Sequence, residues 1–197
     1  IIDWAIQFEI PSVLTSHSHK RATERAKETL DILANDGLHY DLVLLLQGDE
    51  PQIFPEDIGN LKQAFSNKEL EVVNLVFPIS GDDLEDPNVV KVALDKNLTI
   101  HFFSRSHIPH DCTNGYRQLG MIGLTNKALN DYVSLLPTAL EEVESIDMMR
   151  LIENDFSIQG VLSTSPILGV DTPQDLKKVE KIMMNDKFVN LYKEKYI

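Results

Sequence analysis

Two short segments carry the residue types that polar catalysis needs. In Gln47-Gly48-Asp49-Glu50-Pro51, an amide that can donate and accept stands two residues before a carboxylate. Gly48 lets the backbone approach a ligand or turn with positive φ, and Pro51 fixes the exit. Asp49 offers a hard anionic oxygen of the kind Mg2+ favours, because that ion takes one or two carboxylates and completes its shell with phosphate oxygens and water. In Gly169-Val170-Asp171-Thr172-Pro173 a second aspartate follows a second glycine. Each aspartate also has a structural explanation. Asp49 suits a turn at a strand end, and Asp171 suits the N-cap of a helix entered by Thr172 and Pro173. Both end an apolar stretch, so both could converge on one cation.

The elements that must position them follow from periodicity. Leu42 to Leu46 is apolar without alternation, which predicts a central strand of a parallel sheet, covered on both faces. Ligands of open α/β sheets bind at the carboxyl ends of strands, which is where Gln47 and Asp49 fall. Ahead of it, Ile2, Ala5 and Ile6 predict a helix ending by Ile10. Val13 and Leu14 suggest a short strand, His17 to Lys20 a polar loop, and Thr23 to Asn35 an amphipathic helix stopped by Gly37. Pro55-Glu56-Asp57 opens a helix to about Ser66, and Glu71 to Ile79 reads as a strand. Val89 to Asp95 and Leu98 to Ser104 flank Lys96-Asn97 as a hairpin. Met121 to Leu124 is a short apolar run. Asn126 to Leu136 and Leu140 to Asn154 read as helices, Ile158 to Leu162 as a strand, Thr172 to Met184 as a helix, and Lys187 to Lys195 as a polar helical end. The alternation predicts a three-layer α/β fold with some antiparallel decoration.

Composition narrows the function classes. The 197 residues suit a single domain, and 43% hydrophobic with 25% charged residues is globular composition. A formal charge of −13 disfavours nucleic-acid binding, which needs a cationic footprint. It also means that an anionic substrate requires local cations or a divalent metal. No apolar run approaches the roughly 20 residues of a membrane span. Cys112 is the single cysteine, which excludes an internal disulfide and agrees with a cytoplasmic location. The six histidines lack the spacing of a helical zinc pair and read as loop residues, with His17 and His19 near enough in sequence to brush a ligand. The chain begins Ile-Ile-Asp-Trp inside a helix, which reads as an N-terminally incomplete single domain.

Four collinear segments resemble the CMP-Kdo synthetase (3-deoxy-manno-octulosonate cytidylyltransferase) family. They are Gln47 to Pro51, Asp86-Pro-Asn-Val-Val-Lys-Val92, Phe103-Ser-Arg-Ser-His-Ile-Pro109 and Gly169 to Pro173. The resemblance covers nearly the whole chain. It implies a Rossmann-like nucleotidyltransferase fold with a mostly parallel central sheet and a β-rich dimerising insertion, here about residues 89–119. It also implies a homodimer that joins CTP to the anomeric hydroxyl of a 3-deoxy sugar acid and releases pyrophosphate. Asp49 and Asp171 match the aspartates that hold Mg2+, and Gln47 matches an amide near sugar and nucleotide. Arg105 matches an arginine of the sugar-carboxylate pocket, where a planar fork suits a carboxylate. Arg25 matches an arginine near the nucleotide, although the Ser-Gly that precedes it in the family is Arg21-Ala22 here.

The sugar side departs from the family. A pocket histidine is Gln118, in Gln-Leu-Gly-Met-Ile-Gly-Leu-Thr125, and the family's Leu-Glu-Gln-Leu-Arg is Ile146-Asp147-Met148-Met149-Arg150. Gln118 and Asp147 are therefore expected at the substrate, which is then Kdo or a related acid. A sialic-acid-type cytidylyltransferase is the neighbouring alternative. A non-catalytic nucleotide-binding homologue would follow if the family's basic N-terminal phosphate loop were absent.

Overall fold

The structure, a computed structural model, describes residues 1–189 and 191. Helix α1 (Ile2–Gln7) precedes an extended segment, and α2 (Ala22–Asn35) follows. Strand β1 (Leu42–Leu46), α3 (Pro55–Ala64) and β2 (Val72–Ser80) lead to β3 (Lys91–Leu94), β4 (Thr99–Ser104) and the long β5 (Asn114–Thr125). Helices α4 (Asn126–Ser134), α5 (Ala139–Glu144) and α6 (Met148–Ile152), strand β6 (Ile158–Leu162) and α7 (Pro173–Met183) complete the order.

All six strands form one mixed sheet in the order β1-β5-β2-β6-β4-β3, with β3 also reaching β5. Strands β1, β2, β6 and β3 point the same way, but β5 runs antiparallel between β1 and β2, so β2–β6 is the parallel neighbour pair. This corrects the expectation for Leu42–Leu46. Among the described strands β1 lies at one end of the sheet, bonded to β5 alone, and its apolar side chains are only partly covered. The hairpin expected around Lys96-Asn97 forms, with Leu98 taking positive φ at its exit. Its strands extend the main sheet through β4–β6 and β3–β5 rather than forming a separate lobe.

Period-two alternation divides the core between the two faces. On one, Val72, Val76, Ile122 and Leu124 pack with Leu30 of α2, Leu129 and Tyr132 of α4, and Met148 and Met149 of α6. On the other, Val73, Leu75, Leu119 and Met121 pack with Leu61 of α3 and Ile167. Three layers result. Gly123 is required by this packing, since a Cβ there would lie 2.7 Å from both Phe65 and Val73 side chains.

Three local expectations change. Val13 and Leu14 stay outside the sheet, where Leu14 is exposed. The helix expected over Leu140 to Asn154 is two helices, because Ser145 adopts a left-handed conformation (φ 57°, ψ 44°) that ends α5. The short apolar run Met121–Leu124 is the later part of a strand that begins at Asn114, its first half disguised by Gly, Arg and Gln. The helical expectation for Lys187 to Lys195 lies mostly outside the described residues. No helix among the described residues is long and apolar enough to cross a membrane.

Candidate active site

A cleft opens at the carboxyl ends of β1 and β4, and its walls include Gln47, Asp49, Arg105, Gln118, Asp147 and Asp171. Six of the seven residues singled out in the sequence thus meet in one place. Arg25 does not. Its Nη1 donates to Thr15 Oγ1 at 2.5 Å and to the Ser16 carbonyl at 3.1 Å, so it orders the turn ahead of α2.

The two aspartates are brought together by backbone. Val170 N–H donates to the Asp49 carbonyl at 2.9 Å, fastening the loop after β1 to the loop before α7. Thr172, and not Asp171, is the N-cap of α7. Its hydroxyl accepts from Asp175 N–H at 3.2 Å, and Asp175 returns a capping-box bond to Thr172 N–H at 3.1 Å. The carboxylate of Asp171 is thereby released from capping. Among the described residues neither Asp49 nor Asp171 has a side-chain hydrogen bond or ion pair, and both line the cleft. No group of three or more His, Cys, Asp or Glu among the described residues could hold a metal by itself. Two carboxylates with no third protein ligand fit an ion that draws the rest of its shell from phosphate and water, as Mg2+ does.

Glu50, which the sequence reading passed over, sits behind them. It is buried, and both its oxygens accept Gly120 N–H at 2.9 Å. Burial pushes its carboxyl above the ordinary glutamate range. The Gly120 N–H and the Arg117 charge oppose that shift, and the negative charges of Asp49 and Asp171 add to it. Gly120 is obligatory, since a Cβ there would lie 2.4 Å from Gln47 Cγ and 3.0 Å from Glu50 Cδ. Gln47 N–H also donates to the Gly120 carbonyl at 3.0 Å. The loop after β1 is therefore clamped to β5 by glycine's missing side chain.

Cations line the same cleft. Arg105 follows β4 and is braced by Glu144, which accepts Arg105 N–H at 2.9 Å through Oε2, while Arg105 Nε donates to the Glu144 carbonyl at 3.0 Å. Its Nη1 donates to the Pro87 carbonyl at 3.1 Å. The fully buried Lys91 ties this wall from behind, donating to the carbonyls of Asp86, Val89 and Arg105 at 2.8, 2.7 and 2.5 Å. Burial pulls its ammonium below the ordinary lysine range despite the nearby Asp86 and Glu85 charges. Arg117 also lines the cleft, and its buried Nε has no hydrogen-bond partner among the described residues. It escaped the sequence reading because it falls in the polar first half of β5.

Asp147 and Gln118 occupy the floor. The left-handed Ser145 breaks the chain between α5 and α6 and turns Ile146 and Asp147 toward the cleft. Asp147 accepts from the Thr23 hydroxyl at 2.6 Å. Burial drives its carboxyl above the usual aspartate range, with the Thr23 bond and the Arg21 charge opposing. Gln118 Nε2 donates to the buried Asn74 Oδ1 at 2.6 Å.

Comparison with known proteins agrees with this geometry. A family model described as "Cytidylyltransferase" matches residues 1–161. The 3-deoxy-manno-octulosonate cytidylyltransferase of Chlorobium limicola is 37% identical over 180 residues, covering 87% of this chain and 71% of that protein. The protein of that name from Fusobacterium nucleatum is 34% identical over 185 residues, covering 91% and 74%. A solved structure of CMP:2-keto-3-deoxy-manno-octonic acid synthetase complexed with CTP superposes with a TM-score of 0.79 at 29% identity, covering 91% of this chain and 75% of that one. With its two unpaired aspartates on one rim and this degree of likeness along its length, the chain belongs to the 3-deoxy-manno-octulosonate cytidylyltransferase family of nucleotidyltransferases.

Proposed function

We propose that this protein transfers CMP from CTP to the anomeric hydroxyl of Kdo or a closely related 3-deoxy ulosonic acid, releasing pyrophosphate, with Mg2+ as its metal. One observation carries the reading. Asp49 and Asp171 are linked through the Val170–Asp49 backbone bond, have no side-chain partner among the described residues, and share one cleft lining with Arg105 and Arg117.

Asp49 and Asp171 would hold Mg2+, whose charge offsets that of the triphosphate and of the leaving pyrophosphate. Arg105 presents its guanidinium to the sugar carboxylate, held in place by Glu144. Arg117 adds a second cation to a chain whose overall charge would otherwise repel the substrate. Gln47, clamped on Gly120, lies beside Asp49 where nucleotide and sugar meet. Gln118 and Asp147 supply polar contacts to the sugar. The hydroxyl oxygen attacks the α-phosphorus in line, the bond to the bridging oxygen breaks, pyrophosphate departs, and the hydroxyl proton passes to water.

Pyrophosphate release from CTP by the full-length protein tests this, with Kdo, other 3-deoxy ulosonic acids and a sialic acid offered in turn. Mg2+-dependent release with a 3-deoxy ulosonic acid is expected. Release with none of them, or with sialic acid alone, would overturn the reading. We also infer a cytoplasmic homodimer assembled through residues 89–119, and a monomer by light scattering at micromolar concentration would refute the dimer.

A further inference from the structure

Gln118 has its orientation imposed from behind the cleft. Asn74 is fully buried in β2, where the pairing with β5 shifts register between Asn74 and Val76. Its Nδ2 lies 3.0 Å from the Leu75 carbonyl, 3.0 Å from that of Leu119 and 3.3 Å from that of Met121. Carbonyl oxygens only accept, so the nitrogen must occupy this end of the amide and Oδ1 must face away from it. That oxygen receives Gln118 Nε2 at 2.6 Å. Reversing Gln118 would set two carbonyl oxygens against each other at that separation. Reversing Asn74 would bring its own oxygen against three buried acceptors. Gln118 Oε1 has no protein partner among the described residues and is not among the buried unpartnered atoms, so it is open to the cleft that Gln118 lines.

We propose that Asn74 is a positioning residue that locks Gln118 with its carbonyl oxygen toward the cleft, and that this neutral acceptor reads one hydroxyl of the sugar acid. The ligand's chemistry follows from the atom presented. A fixed acceptor rewards a donor, which a sugar hydroxyl is and a carboxylate is not. An imidazole in the same place could exchange donor and acceptor and would titrate near neutrality, whereas an amide does neither. The inference rests on the cytidylyltransferase reading for the identity of the ligand.

The test measures sugar-acid KM and CTP KM for the full-length wild type, Gln118→Met, Asn74→Leu and the double variant. Kdo is compared with analogues that each lack one hydroxyl. A single neutral hydrogen bond predicts about a tenfold rise in sugar KM for each single variant, with CTP KM changed by less than about twofold. The double variant should be no worse than Gln118→Met, because both changes remove the same contact. For one analogue, the one missing the hydroxyl that is read, wild type and Gln118→Met should behave alike. If Asn74→Leu does not fold, Asn74→Thr takes its place in the same comparison. A Gln118→Met enzyme with wild-type sugar KM, additive losses in the double variant, or equal losses with every analogue would overturn the proposal. Wild type that turns over no 3-deoxy ulosonic acid would overturn the transferase reading and this one together. Wild-type turnover with an indifferent Gln118→Met would overturn this one alone.

Discussion

Around Arg150 the charges close on one another, whereas around Asp49 they do not. Arg150 pairs with Glu141 through two bonds of 2.7 Å and reaches Glu24 at 3.3 Å, and its guanidinium lies 4.3 Å from the centre of the Tyr132 ring. Arg21 adds a bond to Glu141 at 3.1 Å, so two cations meet two carboxylates and little is left over. The cleft is the reverse: among the described residues its two aspartates lack side-chain partners, burial pushes the Glu50 carboxyl up, and Arg105 and Arg117 share the lining. Both clusters contain acids and bases, the first gathered from α2, α4, α5 and α6 and the second lining the cleft. The protein completes the first and leaves the second open. Residue type does not distinguish the two clusters; the presence or absence of a protein partner among the described residues does.

The largest effect expected from disturbing this contrast is on turnover. Asp49→Asn or Asp171→Asn should lower kcat in the pyrophosphate-release assay by about 100-fold or more, since a metal-held charge contributes several kcal/mol to the transition state. The melting temperature should not fall, because no protein partner is lost. A variant with near-normal Mg2+-dependent turnover would break the comparison.

At Arg150 the effect should fall on stability. Glu141 and Arg150 are both buried, and Glu141→Ala leaves Arg150 with only its longer bond to Glu24, costing up to about 3–5 kcal/mol in urea unfolding. Burial alone would raise the Glu141 carboxyl, but its hydrogen bonds and charge pairing with Arg150 outweigh burial and hold it below the ordinary glutamate range. The sign follows by linkage. A depressed carboxyl stabilises fully above its unfolded pKa, and that stability is lost as pH falls through the folded value. Unfolding free energy should therefore drop below the ordinary glutamate range, and Glu141→Gln should flatten the slope there.

Arg105→Lys sharpens the contrast at smaller scale. It keeps the charge and the backbone bond to Glu144 but loses the fork and the Nε bond to the Glu144 carbonyl, and sugar-acid KM should rise about tenfold with CTP KM little changed. Thr172→Ala is the mildest. Loss of the α7 cap should cost about 1 kcal/mol in thermal unfolding and weaken Mg2+ affinity slightly, because the cap keeps Asp171 free.

The chain itself determined the chemistry on offer. Gln47, Asp49 and Asp171 stood out because both aspartates end apolar runs near glycine, and four ordered segments resembled one family. Local pattern also predicted α2, α3, β2, β6 and α7, whose periodicity and end signals are self-contained. Strand partnership was not legible, because an apolar run states that it will be covered without saying by what. Leu42–Leu46 consequently lies beside an antiparallel neighbour. Nor could the sequence show that Ser145 would break a helix, that Thr172 rather than Asp171 would cap the next, or that Arg25 would turn from the cleft to Thr15. The Thr172 cap and the Arg25–Thr15 bond are settled within a few turns of chain by which of several competing local partners wins, whereas the Asn74–Gln118 bond joins residues 44 apart. The sequence supplied the groups, and folding selected which of them remained unpaired in the cleft.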